Sequence, residues 1–318
     1  MMRINLKKSS HLLSNVLLFS LILFISCDSI EDKKGRFLLK GNEKLDENDP
    51  KTAIGFYQEA LELDSTYADA WYNKAISHIQ LNQLQEAIED FGQAIRHQPN
   101  YWEAHFQRGL AYLDNGEFYK AREDAVFLTQ NEPEFWKGYF LAGLAFEKLK
   151  DYPQSLSSFS KAVELDPENS DLLVNQATIY YYLKDLETAS KILVTAEEVN
   201  PFEANLYNLR SMIEFDQGDY KKALESVEKA ITLNNRQPYF YNNKGLYLLY
   251  LDDLEGGLEL INQSLRMDDS NLYALRNKGI YYVMTGDKLS ALSFLKDLNE
   301  NYPDLELVTE YYQKAQAL

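Results

Sequence analysis

The sequence predicts an all-α chain in which one helix pair is used eight times over, and three observations carry that expectation. The first is a column of small residues at a fixed interval of 34, occupied by Gly41, Ala75, Gly109, Gly143, Ala177, Ser211, Gly245 and Gly279. The second is a companion column at the same interval, Ala53, Ala87, Ala121, Ser155, Ala189, Ala223, Gly257 and Ala291. The third lies between them: Asn48, Asn82, Gly116, Gly218, Asp252 and Gly286 share one offset, and all tolerate the left-handed backbone that ends a helix. Side chains of minimal bulk let two helix backbones approach closely, so paired columns at one interval describe the same crossing in every window.

The window 68–101 is the clearest. Apolar periodicity places one amphipathic helix over Trp71 to Leu81 and a second over Gln83 to Arg96, with Asn82 between them and Pro99 closing the unit. Stepping by 34 gives windows at 34–67, 68–101, 102–135, 136–169, 170–203, 204–237, 238–271 and 272–305, with no insertion between them. Stacking of such units predicts one elongated body rather than two globules. A ring column runs through Tyr57, Phe91 and Phe159 and turns aliphatic at Leu193, Val227, Ile261 and Leu295. A looser column runs through Ala60, Ala94, Leu128, Ala162, Ala196, Ala230, Ser264 and Leu298. The closing proline recurs at Pro133, Pro167, Pro201 and Pro303, and the turn formers Ser65, Asn235 and Asp269 replace it elsewhere. Lys150 and Lys184 depart from the turn column, so residue type does not predict the geometry of those two turns.

Through Trp71, Ala75, Ala87, Phe91, Ala94 and Pro99 the unit resembles the tetratricopeptide repeat. The resemblance implies a right-handed α-solenoid of eight 34-residue helix pairs, with the first helix of each pair lining a concave groove that binds other proteins. Repeat arrays cover their exposed ends, and a capping helix is expected over 306–318, with Leu305, Val308, Tyr312 and Ala315 along one stripe. Dimerisation through this helix is the alternative.

The N-terminus is a different kind of sequence. Arg3, Lys7 and Lys8 precede an apolar run from Leu12 to Ile25 that is short for a bilayer span and has the form of a secretory signal. Phe24-Ile25-Ser26-Cys27 resembles a bacterial lipobox, departing from it at Phe24. That resemblance implies removal of 1–26, lipidation of Cys27 and a short tether over 27–33, which places the protein on a membrane of the bacterial cell envelope, with the outer membrane expected. An uncleaved anchor helix is the competing reading. Cys27 is the only cysteine, so no disulfide forms within the chain.

Charge and composition narrow the function. Loss of 1–26 removes Arg3, Lys7 and Lys8 and deepens the net charge from −17. Acids scattered over every repeat make nucleic acid an unexpected partner, because phosphate binding needs a clustered basic surface. His78, His97 and His105 stand at no metal-ligand spacing, and the sequence carries no nucleophile elbow, phosphate loop or dinucleotide glycine pattern. Neither a cofactor nor a metal nor a catalytic residue is expected.

Candidate ligand contacts are read from family offsets. Two positions before the first small column stand Asn73, Asn175, Asn243 and Asn277, with Gln107 as a near match and Leu39, Leu141 and Leu209 as breaks. An asparagine amide offers a donor and an acceptor together and suits the backbone of an extended peptide. Hydrogen bonding between neighbouring helices is the structural alternative. Tyr72, Phe106, Phe140, Tyr182 and Tyr250 are candidate aromatic anchors, with Tyr181, Phe215, Tyr239 and Tyr273 at nearby offsets. Lys137 and Arg276 are the cations at groove offsets. The expected function is a non-catalytic adaptor that binds envelope proteins or peptides. A glycan-binding lipoprotein, using the same aromatic faces, is the alternative.

Overall fold

The structure, a computed structural model, describes residues 29–318; the predicted signal and Cys27 lie outside the described residues. Among the described residues there are 17 helices and no strand. The described residues divide into two compact units, 29–128 and 129–318. The first holds α1 (Ile30–Asp46), α2 (Pro50–Leu63), α3 (Ala68–Gln80), α4 (Leu84–His97) and α5 (Trp102–Asp114), and α6 (Phe118–Asn131) runs through the boundary. The second holds α7 (Trp136–Lys148), α8 (Tyr152–Leu165), α9 (Ser170–Tyr182), α10 (Leu186–Val199), α11 (Ala204–Asp216), α12 (Tyr220–Leu233), α13 (Pro238–Tyr250), α14 (Leu254–Met267), α15 (Leu272–Met284), α16 (Lys288–Asn301) and α17 (Val308–Ala317).

Each helix pair is built by the same local chemistry. The turn inside a pair is left-handed in all eight windows, at Asn48, Asn82, Gly116, Lys150, Lys184, Gly218, Asp252 and Gly286. Lys150 and Lys184 therefore adopt the turn that their residue type does not favour, at φ 59° and 63°. A left-handed non-glycine residue costs roughly 1 kcal/mol. In both turns the residue after the lysine closes the helix end, with the amides of Asp151 and Asp185 donating to the carbonyls of Phe146 and Tyr180 at 2.9 Å. That following residue then caps the next helix: Asp49, Asp151, Asp185, Asp219, Asp253 and Asp287 each accept from a backbone amide three residues on. Part of the acidic excess is thus spent at helix N-termini, where the helix dipole favours it.

The two small-residue columns, the ring column and the column through Ala60 and Ala94 are buried at every one of their positions, although the last looks loose in sequence. The glycines of the first column make room chiefly for the ring column of the same pair. A Cβ on Gly41 would meet the Tyr57 ring at 2.3 Å, and one on Gly143 the Phe159 ring at 2.6 Å. In the seventh window both crossing positions are glycine, and a Cβ on Gly245 would fall 2.8 Å from the carbonyl oxygen of Gly257. That crossing brings backbone against backbone.

Pairs stack in each unit by packing a second helix on the next first helix, as α2 on α3 and α4 on α5, or α8 on α9 and α10 on α11. First helices also touch in succession: α1 with α3, and α9, α11, α13 and α15 in turn. The C-terminal helix begins at Val308, packs on α15 and α16, and buries Val308, Tyr311 and Ala315. Tyr311, rather than Tyr312, is the buried ring of its stripe, and its hydroxyl lies 2.9 Å from that of Tyr250. Among the described residues no helix is long and apolar enough to cross a membrane.

Candidate functional site

The first helices of the second unit line a cavity of about 1120 Å³. Its polar lining comes from α9, α11, α13 and the approach to α15: Asn175, Asn205, Asn208, Asn242, Asn243 and Asn271. Tyr181, Tyr182, Tyr239, Tyr247 and Tyr273 supply rings, joined by Phe140, Phe215 and Arg276. These side chains converge because an inner helix contributes the same register position every 34 residues.

The amides form rungs between successive repeats. Asn243 donates to Oδ1 of Asn208 at 2.9 Å, and one repeat further Asn277 donates to Oδ1 of Asn242 at 2.6 Å. The Tyr239 hydroxyl donates to Oδ1 of Asn205 at 3.1 Å. Asn175 donates to the carbonyl of Asp171 in its own helix. An amide can make about four hydrogen bonds, so amides that line the cavity and spend one or two retain capacity for a ligand.

Of the residues singled out in sequence, Asn175, Asn243, Phe140 and Tyr182 meet at this cavity. Asn277 is fully buried, with its amide committed to Asn242, and does not line the cavity. Tyr250 stands off the cavity as well, packed on Phe215 and Tyr220. Asn73, Gln107, Tyr72 and Phe106 belong to the first unit. There Asn73 donates to Asn42, Tyr72 stacks on Tyr101 at 5.0 Å, and Phe106 is buried.

Asn208, Asn242 and Arg276 carry no signal at the asparagine offset. Their own column does, since it reads Tyr72, Phe106, Phe140, Val174, Asn208, Asn242, Arg276 and so turns from aromatic to polar in the later repeats. The cavity is unevenly charged. Asp171 and Glu203 stand together at the N-terminal ends of α9 and α11, and burial and Asp171 raise the Glu203 carboxyl. Burial likewise raises Glu147 and Asp216. Arg276 is buried, and desolvation pulls its guanidinium down. Among the described residues no group of three or more His, Cys, Asp or Glu is placed to hold a metal.

Tetratricopeptide repeat models match residues 68–101, 106–170, 148–213 and 204–237, which together exceed half of the sequence. The chain belongs to the tetratricopeptide repeat family. Solved structures show the same fold at low identity. This tetratricopeptide repeat chain matches the Cut9-Hcn1 hetero-tetramer of the APC/C with a TM-score of 0.68 and 14% identity, over 95% of its own length and 59% of that chain. A tetratricopeptide repeat protein from Parabacteroides merdae matches with a TM-score of 0.61 and 13% identity, over 78% and 98%. Pseudomonas aeruginosa PilF matches with a TM-score of 0.53 and 20% identity, over 68% and 96%. Over 58 residues the chain is 43% identical to the human Protein O-mannosyl-transferase TMTC3, a stretch that spans 18% of this chain and 6% of that protein.

Proposed function

We propose that this tetratricopeptide repeat protein is a non-catalytic scaffold of the bacterial cell envelope, anchored through a lipid on Cys27, that holds an extended protein segment along the inner helices of its second unit. The fold is that of a protein-interaction scaffold. The observation that carries the finer reading is the cavity of about 1120 Å³ whose lining combines asparagine amides with tyrosine rings. Amides with spare capacity pair with a peptide backbone whatever its sequence, and flat rings with hydroxyl tips anchor its side chains.

Replacing Asn175 and Asn243 by alanine tests this. Each lost amide contact is worth about 1 kcal/mol, so affinity for extended peptides bound from an array falls about tenfold or more. The helical circular dichroism stays unchanged. Asn175 is the cleaner position, because its recorded bond is to its own helix. Unaltered affinity in the double variant would overturn the reading. For the anchor, Cys27→Ala moves the protein from the membrane pellet into the soluble or unprocessed fraction. Continued sedimentation with membranes would show that another element holds it there.

A further inference from the structure

Between α16 and α17 the chain leaves the stack and lays residues 302–307 across the inner surface of the second unit, where Glu306 and Leu307 become part of the cavity wall. Three cations hold this strap. Lys150 approaches Asp304 at 3.3 Å, Lys184 approaches Glu306 at 2.5 Å, and Nη1 of Arg276 donates to the Glu306 carbonyl at 3.0 Å.

Each of these features is costly unless an anion is meant to be there. Lys150 and Lys184 occupy left-handed turns in which the other six repeats use Gly, Asn or Asp, so the fold accepts a strained residue at just the two turns whose side chains reach the strap. Arg276 is 5% exposed, and among the described residues no carboxylate forms an ion pair with it. Its Nε is taken by the Asn277 amide and its Nη1 by the strap carbonyl, both neutral acceptors. A buried cation that makes no close ion pair, with the Glu306 carboxylate acting on it only from a distance, is expensive, and backbone strain gathers at ligand clamps.

Leu307 packs on the core, but the charged contacts of the strap are weak. Both of its ion pairs are largely exposed, with Lys150 and Asp304 at 67% and 83% and Lys184 and Glu306 at 57% and 54%. Exposed pairs contribute little, and the strap ends on Leu307 in the left-handed region at φ 65°. Without it, Lys148, Lys184 and Arg276 on the cavity wall and Lys150 outside it stand against Glu147 and Asp216, the latter 3.6 Å from Lys184, an excess that Asp304 and Glu306 neutralise. The other acids of the lining, Asp171, Glu203 and Asp268, stand at or just before the starts of α9, α11 and α15, and Asp171 lies a helix length, roughly 20 Å, from Lys184 along α9.

We infer that residues 302–307 are an internal surrogate for the ligand, and that the partner presents an extended acidic segment which displaces the strap and sets its carboxylates on Lys150, Lys184 and Arg276. This rests on the proposal that the cavity holds an extended segment, and it adds the partner's chemistry and the element that must move aside.

The probe is a peptide with the sequence of residues 302–308, blocked at both ends, titrated into the full chain. Asp304→Asn with Glu306→Gln weakens the strap in place and is expected to raise affinity for the peptide at least about tenfold over the unaltered protein. A peptide with asparagine and glutamine in place of its two acids does not bind. Adding Lys184→Gly to the strap variant lowers affinity about tenfold, while the melting temperature holds or rises, because glycine fits that turn better than lysine. A merely structural lysine would show the opposite pattern. The inference is overturned if the peptide binds neither protein, binds both equally, or is indifferent to Lys184→Gly. If array peptides without acids bind through Asn175 and Asn243 while the acidic one does not, this inference falls alone. If no peptide binds, the scaffold reading of the cavity falls with it.

Discussion

Asp124→Ala is expected to lower the stability of the first unit by about 3–5 kcal/mol, the cost of leaving buried charge without its counter-ion. Asp124 is 4% exposed and meets Arg108 in a fork, with Nε at 2.8 Å from one carboxylate oxygen and Nη2 at 2.6 Å from the other. His105, itself buried, places Nδ1 at 3.0 Å from the same carboxylate and Nε2 at 3.1 Å from the Pro99 carbonyl. One acid therefore fixes the register of two side chains on α5 against α6. Removing it strands a buried imidazole and a guanidinium whose side chain is only about a fifth exposed. Asp124→Asn keeps the shape and one acceptor, so its loss is smaller, and urea titrations of the two variants separate charge from volume. A loss below about 1 kcal/mol for the alanine variant would mean that the cluster relaxes into solvent. The preceding repeat repeats the device with Lys74 at 2.9 Å from Asp90. There, however, Oδ2 of Asp90 lacks a hydrogen bond and burial raises the carboxyl.

This pairing was legible in the sequence only in retrospect. Lys74 and Asp90, like Arg108 and Asp124, stand 16 residues apart, the spacing that joins the two small-residue helices of one repeat, but the later repeats break the pattern. What could be read forward was whatever depends on a residue's own bulk or backbone preference. The four small and apolar columns belong to that class, as do the turns at Asn48, Asn82 and Gly116. The left-handed turns at Lys150 and Lys184 do not, because they are imposed by the repeat against the preference of lysine. Nor does the strap, since Lys184 and Glu306 are 122 residues apart and no local pattern announces their meeting. The asparagine offset led to Asn175 and Asn243, which line the cavity, and also to Asn277, which does not. One repeat position serves both uses: Asn175 bonds only within its own helix and faces the cavity, whereas Asn277 is buried with its amide committed to Asn242 of the preceding repeat.

Tyr247→Ala is expected to cost the second unit about 3–5 kcal/mol, because it empties a fully packed aromatic position. Tyr247 is 1% exposed, stacks on Phe215 at 5.0 Å between ring centres, and places its hydroxyl 3.0 Å from Oγ of Ser211. Ser211 holds the small column of the sixth repeat, so its hydroxyl joins one repeat to the ring of the next. Tyr247→Phe removes that bond alone and is expected to cost about 1 kcal/mol. The difference between the two variants is then the packing contribution. Tyr247 also floors the cavity, so the two effects must be told apart. Hydrogen exchange does so: loss of protection in Tyr247→Ala should centre on α11 and α13, whose rings and backbones close on this site. The phenylalanine variant should retain both protection and peptide binding. If Tyr247→Phe abolished binding while leaving exchange unchanged, the hydroxyl would belong to the ligand rather than to Ser211. If Tyr247→Ala left exchange unchanged, the repeats would not be held together by this contact, and the stacking described for the sixth and seventh pairs would be wrong.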